Sequence, residues 1–144
     1  MDFEVDTLIE SPVQDAYRAC GLAKYQIRWM ASLVEVELDP EVEWGIGSRF
    51  RQIHEEAGIR QVFEGVLLDL QEDSRISMKL EHADFTIFTE IDFEDLGQRC
   101  RLVQRTRLEL KSAPLKLMAD TIGGVVHKRL EEDFARLKAL CESG

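Results

Sequence analysis

The sequence predicts an α+β fold: a seven-stranded, curved antiparallel sheet around a long C-terminal helix, with two short helices after the first strand. Three observations predict it. From Pro114 to Glu142, apolar residues recur in steps of mostly three and four, at Leu115, Met118, Ile122, Val125/Val126, Leu130, Phe134, Leu137 and Cys141. That is one stripe of a helix. Upstream, between residues 34 and 110, apolar and polar residues alternate in runs separated by turn residues, as in strands with one covered face. A first alternating run, residues 2–10, is set apart from the others by a helical stretch. At 1.5 Å per residue the C-terminal helix would be roughly 40 Å long. A helix of that length needs its stripe covered, and a sheet curling under its own twist can cover it.

In the first strand, Phe3, Val5, Thr7 and Ile9 alternate with Asp2, Glu4, Asp6 and Leu8. Ser11 and Pro12 end it, Ser11 as an N-cap and Pro12 as the first residue of a helix with Gln14 and Asp15 in its first turn. This helix is expected to reach Cys20 and stop at Gly21. A second short helix, about 22–30, would pack through Tyr25, Trp29 and Met30. Val34, Val36 and Leu38 mark the second strand, which ends at Pro40. Trp44-Gly45-Ile46-Gly47 forms a tight connection; with no lysine and no following helix it is not a nucleotide loop. Strand 48–55 puts Phe50, Gln52 and His54 on one face and Arg49, Arg51 and Ile53 on the other, and Ala57-Gly58 turns the chain back. Strand 59–70 ends at the turn 71–74. Ile76, Met78 and Leu80 mark the fifth strand, and Phe85, Ile87, Thr89, Ile91 and Phe93 the sixth. In the seventh, Cys100, Leu102, Gln104, Thr106, Leu108 and Leu110 share a face, before Ser112 and Pro114 open the long helix. Consecutive hairpins imply a meander with one apolar face, and one domain spanning 1–144 accounts for the chain.

Of 144 residues, 28 are acidic and 18 basic, so the net charge is −10. A field of that sign repels phosphate backbones, which argues against nucleic-acid binding, and it suits a basic protein partner. Arg99, Arg101, Arg105 and Arg107, with Glu109, read as an outer sheet face paired with acidic neighbours. No apolar run approaches bilayer length, so no integral membrane association is expected. The opening MDFEVDTLIE is unlike a basic-then-apolar signal, and a cytoplasmic location is expected. Cys20, Cys100 and Cys141 are odd in number and widely spaced, which argues for free buried thiols and against disulfides or zinc. Neither a metal nor a cofactor is implied.

The order of elements resembles the START-like (SRPBCC) helix-grip superfamily, which includes polyketide cyclases, Bet v 1-like proteins and lipid-transfer domains. The resemblance rests on the strand running into Ile9-Glu10-Ser11-Pro12-Val13, Tyr17 on the next helix, Trp29 ahead of the second strand, Gly47 opening the third, and the closing helix. It spans essentially the whole chain. It implies an apolar ligand held between sheet and long helix. The layout also resembles the coenzyme Q-binding branch, which often carries a Pro-Trp-Cys-like segment; here Ile27-Arg28-Trp29-Met30 keeps only the tryptophan.

The ligand-binding candidates are Trp29, Phe50, His54, Gln61, Phe63, Phe85, Thr89, Gln104, Thr106, Met118 and Ile122, with Phe88 as a further aromatic. Gln61, Thr89, Gln104 and Thr106 interrupt apolar faces, and a few polar groups in an apolar pocket orient a ligand. His54 is the candidate general base, with an acidic group such as Glu64 as the alternative catalytic residue; His82 and His127 are expected at the surface. Gly123-Gly124 in the long helix implies a bend, room for a ligand, or close packing on the sheet. No nucleophile with an evident base is apparent. Three functions follow: binding or transport of a lipid, quinone or polyketide-like molecule; cyclase/dehydrase-like catalysis on one; or a protein-interaction module with a filled core.

Overall fold

Each alternating run forms a strand in the computed structural model, which describes Met1–Ser143. The elements are β1 (Asp2–Ile9), α1 (Val13–Gly21), α2 (Ala23–Trp29), β2 (Leu33–Leu38), β3 (Arg49–Glu56), β4 (Ile59–Gln71), β5 (Arg75–Glu81), β6 (Phe85–Asp95), β7 (Cys100–Leu110), α3 (Ala113–Leu117) and α4 (Ala119–Glu142). Among the described residues the sheet has seven strands in the order β1-β7-β6-β5-β4-β3-β2. All neighbours are antiparallel. Strands β2 to β7 are the expected meander, and β1 returns to pair with β7. The helices α1 and α2 carry the chain from one sheet edge to the other.

Turn chemistry and bulges shape the sheet. Ala57 (φ 52°) and Gly58 (φ 77°) both take the left-handed region at the β3–β4 turn, the geometry that matches strand twist. Register shifts between Leu33 and Glu35 and between Leu67 and Asp69 mark bulges, which bend their strands. The first turns Val34 out to solvent, so β2 does not present a continuous Val34/Val36/Leu38 face. Along β7 the period of two is clean: Cys100, Leu102, Gln104, Thr106 and Leu108 are buried while Arg101, Arg105, Arg107 and Glu109 are exposed. The outer arginines meet acids. Arg105 lies 3.2 Å from Glu4 and 3.0 Å from Asp92, Arg107 lies 3.2 Å from Asp2, and Arg101 pairs with Asp6.

The C-terminal half of α4 buries Phe134 and Leu137 against β1, α1 and α2. Trp29 stands edge-on to Phe134 at 5.6 Å and donates its indole N–H to the Ala19 carbonyl at 2.9 Å. Cys20 and Cys100 are buried and Cys141 half-buried, all free. Burial pushes the Cys100 and Cys141 thiols up to about 11, so neither is a reactive thiolate.

Two further local expectations are corrected, and a third is decided between its alternatives. The closing helix is not continuous: Met118 (φ −99°, ψ 14°) separates α3 from α4. The apolar repeat runs through the break, but its first part is poorly covered: α3 buries no residue, Leu115 is half-buried and Met118 is 54% exposed. At Gly123-Gly124 the helix is unbroken, α4 running through both. A Cβ on Gly123 would lie 3.2 Å from the Met1 sulfur and 3.8 Å from the Phe3 ring, so this glycine lets α4 approach β1 closely. Ser11 does not cap α1; its hydroxyl donates to Asp15 Oδ2 at 2.9 Å.

Candidate functional site

Phe134 and Leu137 fill the space between sheet and helix at one end. Towards the N-terminus of α4 the interior is left open as a cavity of about 190 Å³. Its apolar wall is built by Trp29 and Met30 from the end of α2, Phe63, Met78, Leu80, Ile87 and Ile91 from the sheet, and Val126 and Leu130 from α4. A larger depression of about 670 Å³ lies open along the charged strands near Glu90, Arg105 and Arg107. It encloses nothing, so the smaller cavity is the candidate site.

Seven of the sequence candidates meet in this wall: Trp29, His54, Gln61, Phe63, Thr89, Gln104 and Thr106. Alternation on β3, β4, β6 and β7 points the six strand residues inward, Trp29 comes from the end of α2, and the antiparallel register sets Thr89 directly opposite Thr106. Four candidates lie elsewhere. Phe50 and Phe85 pack in a neighbouring cluster with Leu80, Phe50 edge-on to Trp44 at 5.6 Å. Met118 is exposed at the helix break, and Ile122 lies one turn before Val126 on α4, outside the lining. Phe88 faces outward beneath the Lys79 ammonium, 5.6 Å from its ring centroid. Glu64 also faces outward, bonded to Arg51 at 2.8 Å, and cannot act inside the cavity. His82, expected at the surface, is half-buried between Phe63 (5.1 Å) and Phe85 (5.5 Å); its turn folds it back over the hairpin aromatics. His127 is exposed, 3.1 Å from Glu131.

Two polar arrangements stand out. On β7, Gln104 is 7% exposed and its Nε2 donates to Thr106 Oγ at 3.3 Å. Its Oε1 is buried with no partner in the protein. A buried carbonyl oxygen left in this way costs about 1–3 kcal/mol. On β3, His54 bridges Ser32 Oγ (2.8 Å to Nδ1) and Gln52 Oε1 (3.0 Å to Nε2). With the Gln52 oxygen facing the ring, Nε2 carries the proton and the Ser32 hydroxyl donates to Nδ1. Burial first, and then the Arg129 charge, lower the pKa of His54 to about 4. The ring is neutral at physiological pH and both of its nitrogens are engaged.

Sequence reasoning missed Gln26, Ser32, Gln52, Arg129 and Asp133. Gln26 donates to the Cys20 carbonyl at 2.6 Å. Asp133 Oδ1 accepts from the Ala31 N–H at 3.2 Å and from the Arg136 guanidinium, and Arg136 Nε donates to the Trp29 carbonyl at 3.0 Å. Together these fasten the α2–β2 connection to α4. Burial raises the Asp133 carboxyl above its ordinary range, and those two donors offset part of the effect. At the mouth, Arg129 of α4 pairs with Glu56 at the end of β3. Gln52 could have been found from the face it shares with His54. Arg129 and Asp133 could not, because in sequence they belong to the charged part of a helix. Among the described residues no cluster of three or more His, Cys, Asp or Glu side chains is placed to hold a metal ion. No described helix is long and apolar enough to cross a membrane.

No protein-family model and no curated protein matches the sequence. Solved structures do match its fold. The chain is similar to TTHA0849 from Thermus thermophilus, with a TM-score of 0.81, 15% identity and full coverage of both chains. It is similar to the Zhui aromatase/cyclase from Streptomyces sp. R1128, with a TM-score of 0.81, 14% identity, and 99% of this chain and 93% of that one covered. Ara h 8.0201 matches with a TM-score of 0.77, 12% identity, and 100% and 99% coverage. The shared fold is a helix-grip fold, a curved antiparallel sheet closed by a long C-terminal helix.

Proposed function

We propose that the protein binds and carries a small hydrophobic molecule, of lipid, quinone or polyketide-like type, in the cavity between sheet and α4. The observation that carries this reading is a partly enclosed, mainly apolar space into whose wall the sequence builds Gln104, an amide with one end unpartnered. Apolar area supplies affinity, and a single polar group selects and orients. The fold-level likeness to an aromatase/cyclase supports a cavity for such compounds. A cyclase-type reading is favoured by the place of His54 in the wall. Against it, the Ser32 hydroxyl already takes the basic nitrogen, and a pKa of about 4 makes a poor base at neutral pH.

The test is native mass spectrometry of the freshly purified chain, followed by solvent extraction and identification of what is carried. The expected result is a co-purifying apolar compound that is lost from an Ile87→Trp variant, in which the indole fills the cavity. A bare mass, with no thermal shift from fatty acids, quinones or aromatic polyketides, would overturn the reading.

A further inference from the structure

A charge pair stands at the mouth of the cavity. Glu56 is the last residue of β3, before the left-handed pair Ala57 and Gly58. Among the described residues, its pair with Arg129 is the one salt bridge between the β3–β4 hairpin and α4. Arg129 is also the one cation among the residues that line the cavity. We propose that the cavity selects amphipathic molecules with an anionic head, a carboxylate above all, which takes the place of Glu56 on Arg129 and releases the hairpin. The proposal rests on the reading of the cavity as a ligand site.

What each partner of the pair does when displaced decides the sign of the head group. The Glu56 side chain is 55% exposed, on a hairpin tip where its neighbour Glu55 is already held by Arg60 at 2.9 Å. Displaced, it turns into water and leaves no buried group unpaired. Arg129 is less exposed, at 39%, and rooted in the middle of α4. Of the acids one turn on, Glu132 pairs with Lys128 at 4.0 Å and Asp133 has its Oδ1 committed to the Ala31 N–H and to Arg136. An ammonium head that drew Glu56 away would therefore set a like charge against Arg129 at the mouth and leave it without its bonded carboxylate. The Arg129 charge also contributes to lowering the His54 pKa, so its field reaches the cavity side of the wall. A neutral head leaves the pair in place and gains only the hydrogen bond to Gln104.

Octanoate, octanol and octylamine separate these cases, with binding to the full chain measured by titration calorimetry. The expected order is octanoate at least tenfold tighter than octanol, with octylamine weakest. Glu56→Gln removes the competing carboxylate and should tighten octanoate at least threefold, with faster amide exchange across 57–60. Arg129→Gln should bring the octanoate-to-octanol ratio below three, and Arg129→Lys should keep it above that. Equal binding of octanoate and octanol by the unaltered protein would overturn the anionic selection and leave the carrier reading standing. So would a Glu56→Gln variant, altered only at an exposed side chain, that binds octanoate no more tightly. Binding of none of the three probes, together with silence from the quinone panel, would sink the carrier reading itself.

Discussion

Two buried glutamines in the cavity wall should respond to the same substitution with opposite signs. Gln26 and Gln104 are 8% and 7% exposed. Gln26 Nε2 donates to the Cys20 carbonyl at 2.6 Å, at the C-terminal end of α1. Gln26→Leu removes that donor from a buried carbonyl and should cost about 1–2 kcal/mol. Gln104 has only a long 3.3 Å bond to Thr106, and its Oε1 has no protein partner. Gln104→Leu, close in volume, loses a bond worth about 0.5–1 kcal/mol but relieves a penalty of about 1–3 kcal/mol. The apo protein should gain about 1 kcal/mol, which for a chain of this size raises Tm by about 3 °C. Urea denaturation of extracted, ligand-free protein measures both variants. The same Gln104→Leu protein should bind a ligand that carries a hydroxyl or other donor at least tenfold more weakly, because that donor then loses the Gln104 carbonyl as its acceptor. A loss of more than 1 kcal/mol on Gln104→Leu would refute the reasoning. It would mean that the amide is satisfied in the apo protein and belongs to the scaffold rather than to the ligand.

Other consequences are testable separately. The pKa of His54 is about 4 in the fold against 6.5 ordinarily, so between those values the unfolded chain binds the extra proton. Stability from this group is complete above pH 6.5 and is lost as pH falls towards 4, by about 3 kcal/mol at most. His54→Asn should flatten the fall of the urea midpoint between pH 7 and 4; an unchanged slope would show that His54 is not buried neutral. At Gly65 a Cβ would lie 2.4 Å from the Phe50 ring, itself buried. Gly65→Ala should therefore cost about 1–3 kcal/mol as the ring is displaced, and a urea midpoint within error of the parent would contradict that packing.

The fold was legible because each element buries one face, and a covered face imposes its period on the sequence. Strand β7 shows this best: its alternation predicted both the buried line through Leu102, Gln104, Thr106 and Leu108 and the outer arginines. The same period picked out Gln104 and Thr106 as polar residues on an apolar face. At the break before α4 it failed, since the spacing of Leu115, Met118 and Ile122 continues whether or not anything covers it. Periodicity reports which side an apolar residue faces, but not whether a second layer is there.

By itself, then, the sequence determined the meander from β2 to β7, the faces the strands turn inward, and the helix needed to close the sheet, but not the pairing of β1 with β7. These depend on contacts between residues close in the chain or set by the alternation. Tertiary structure decided how far the helix covers the sheet, and hence where a cavity remains. It also decided which charges stand at the mouth. Arg129 meets Glu56 from the far end of the chain, and Asp133 accepts the Ala31 N–H from 102 positions away. No local period encodes such pairs. They arise because α4 crosses the open side of the sheet at one particular height, set by the packing of Phe134 and Leu137 and by the close approach at Gly123.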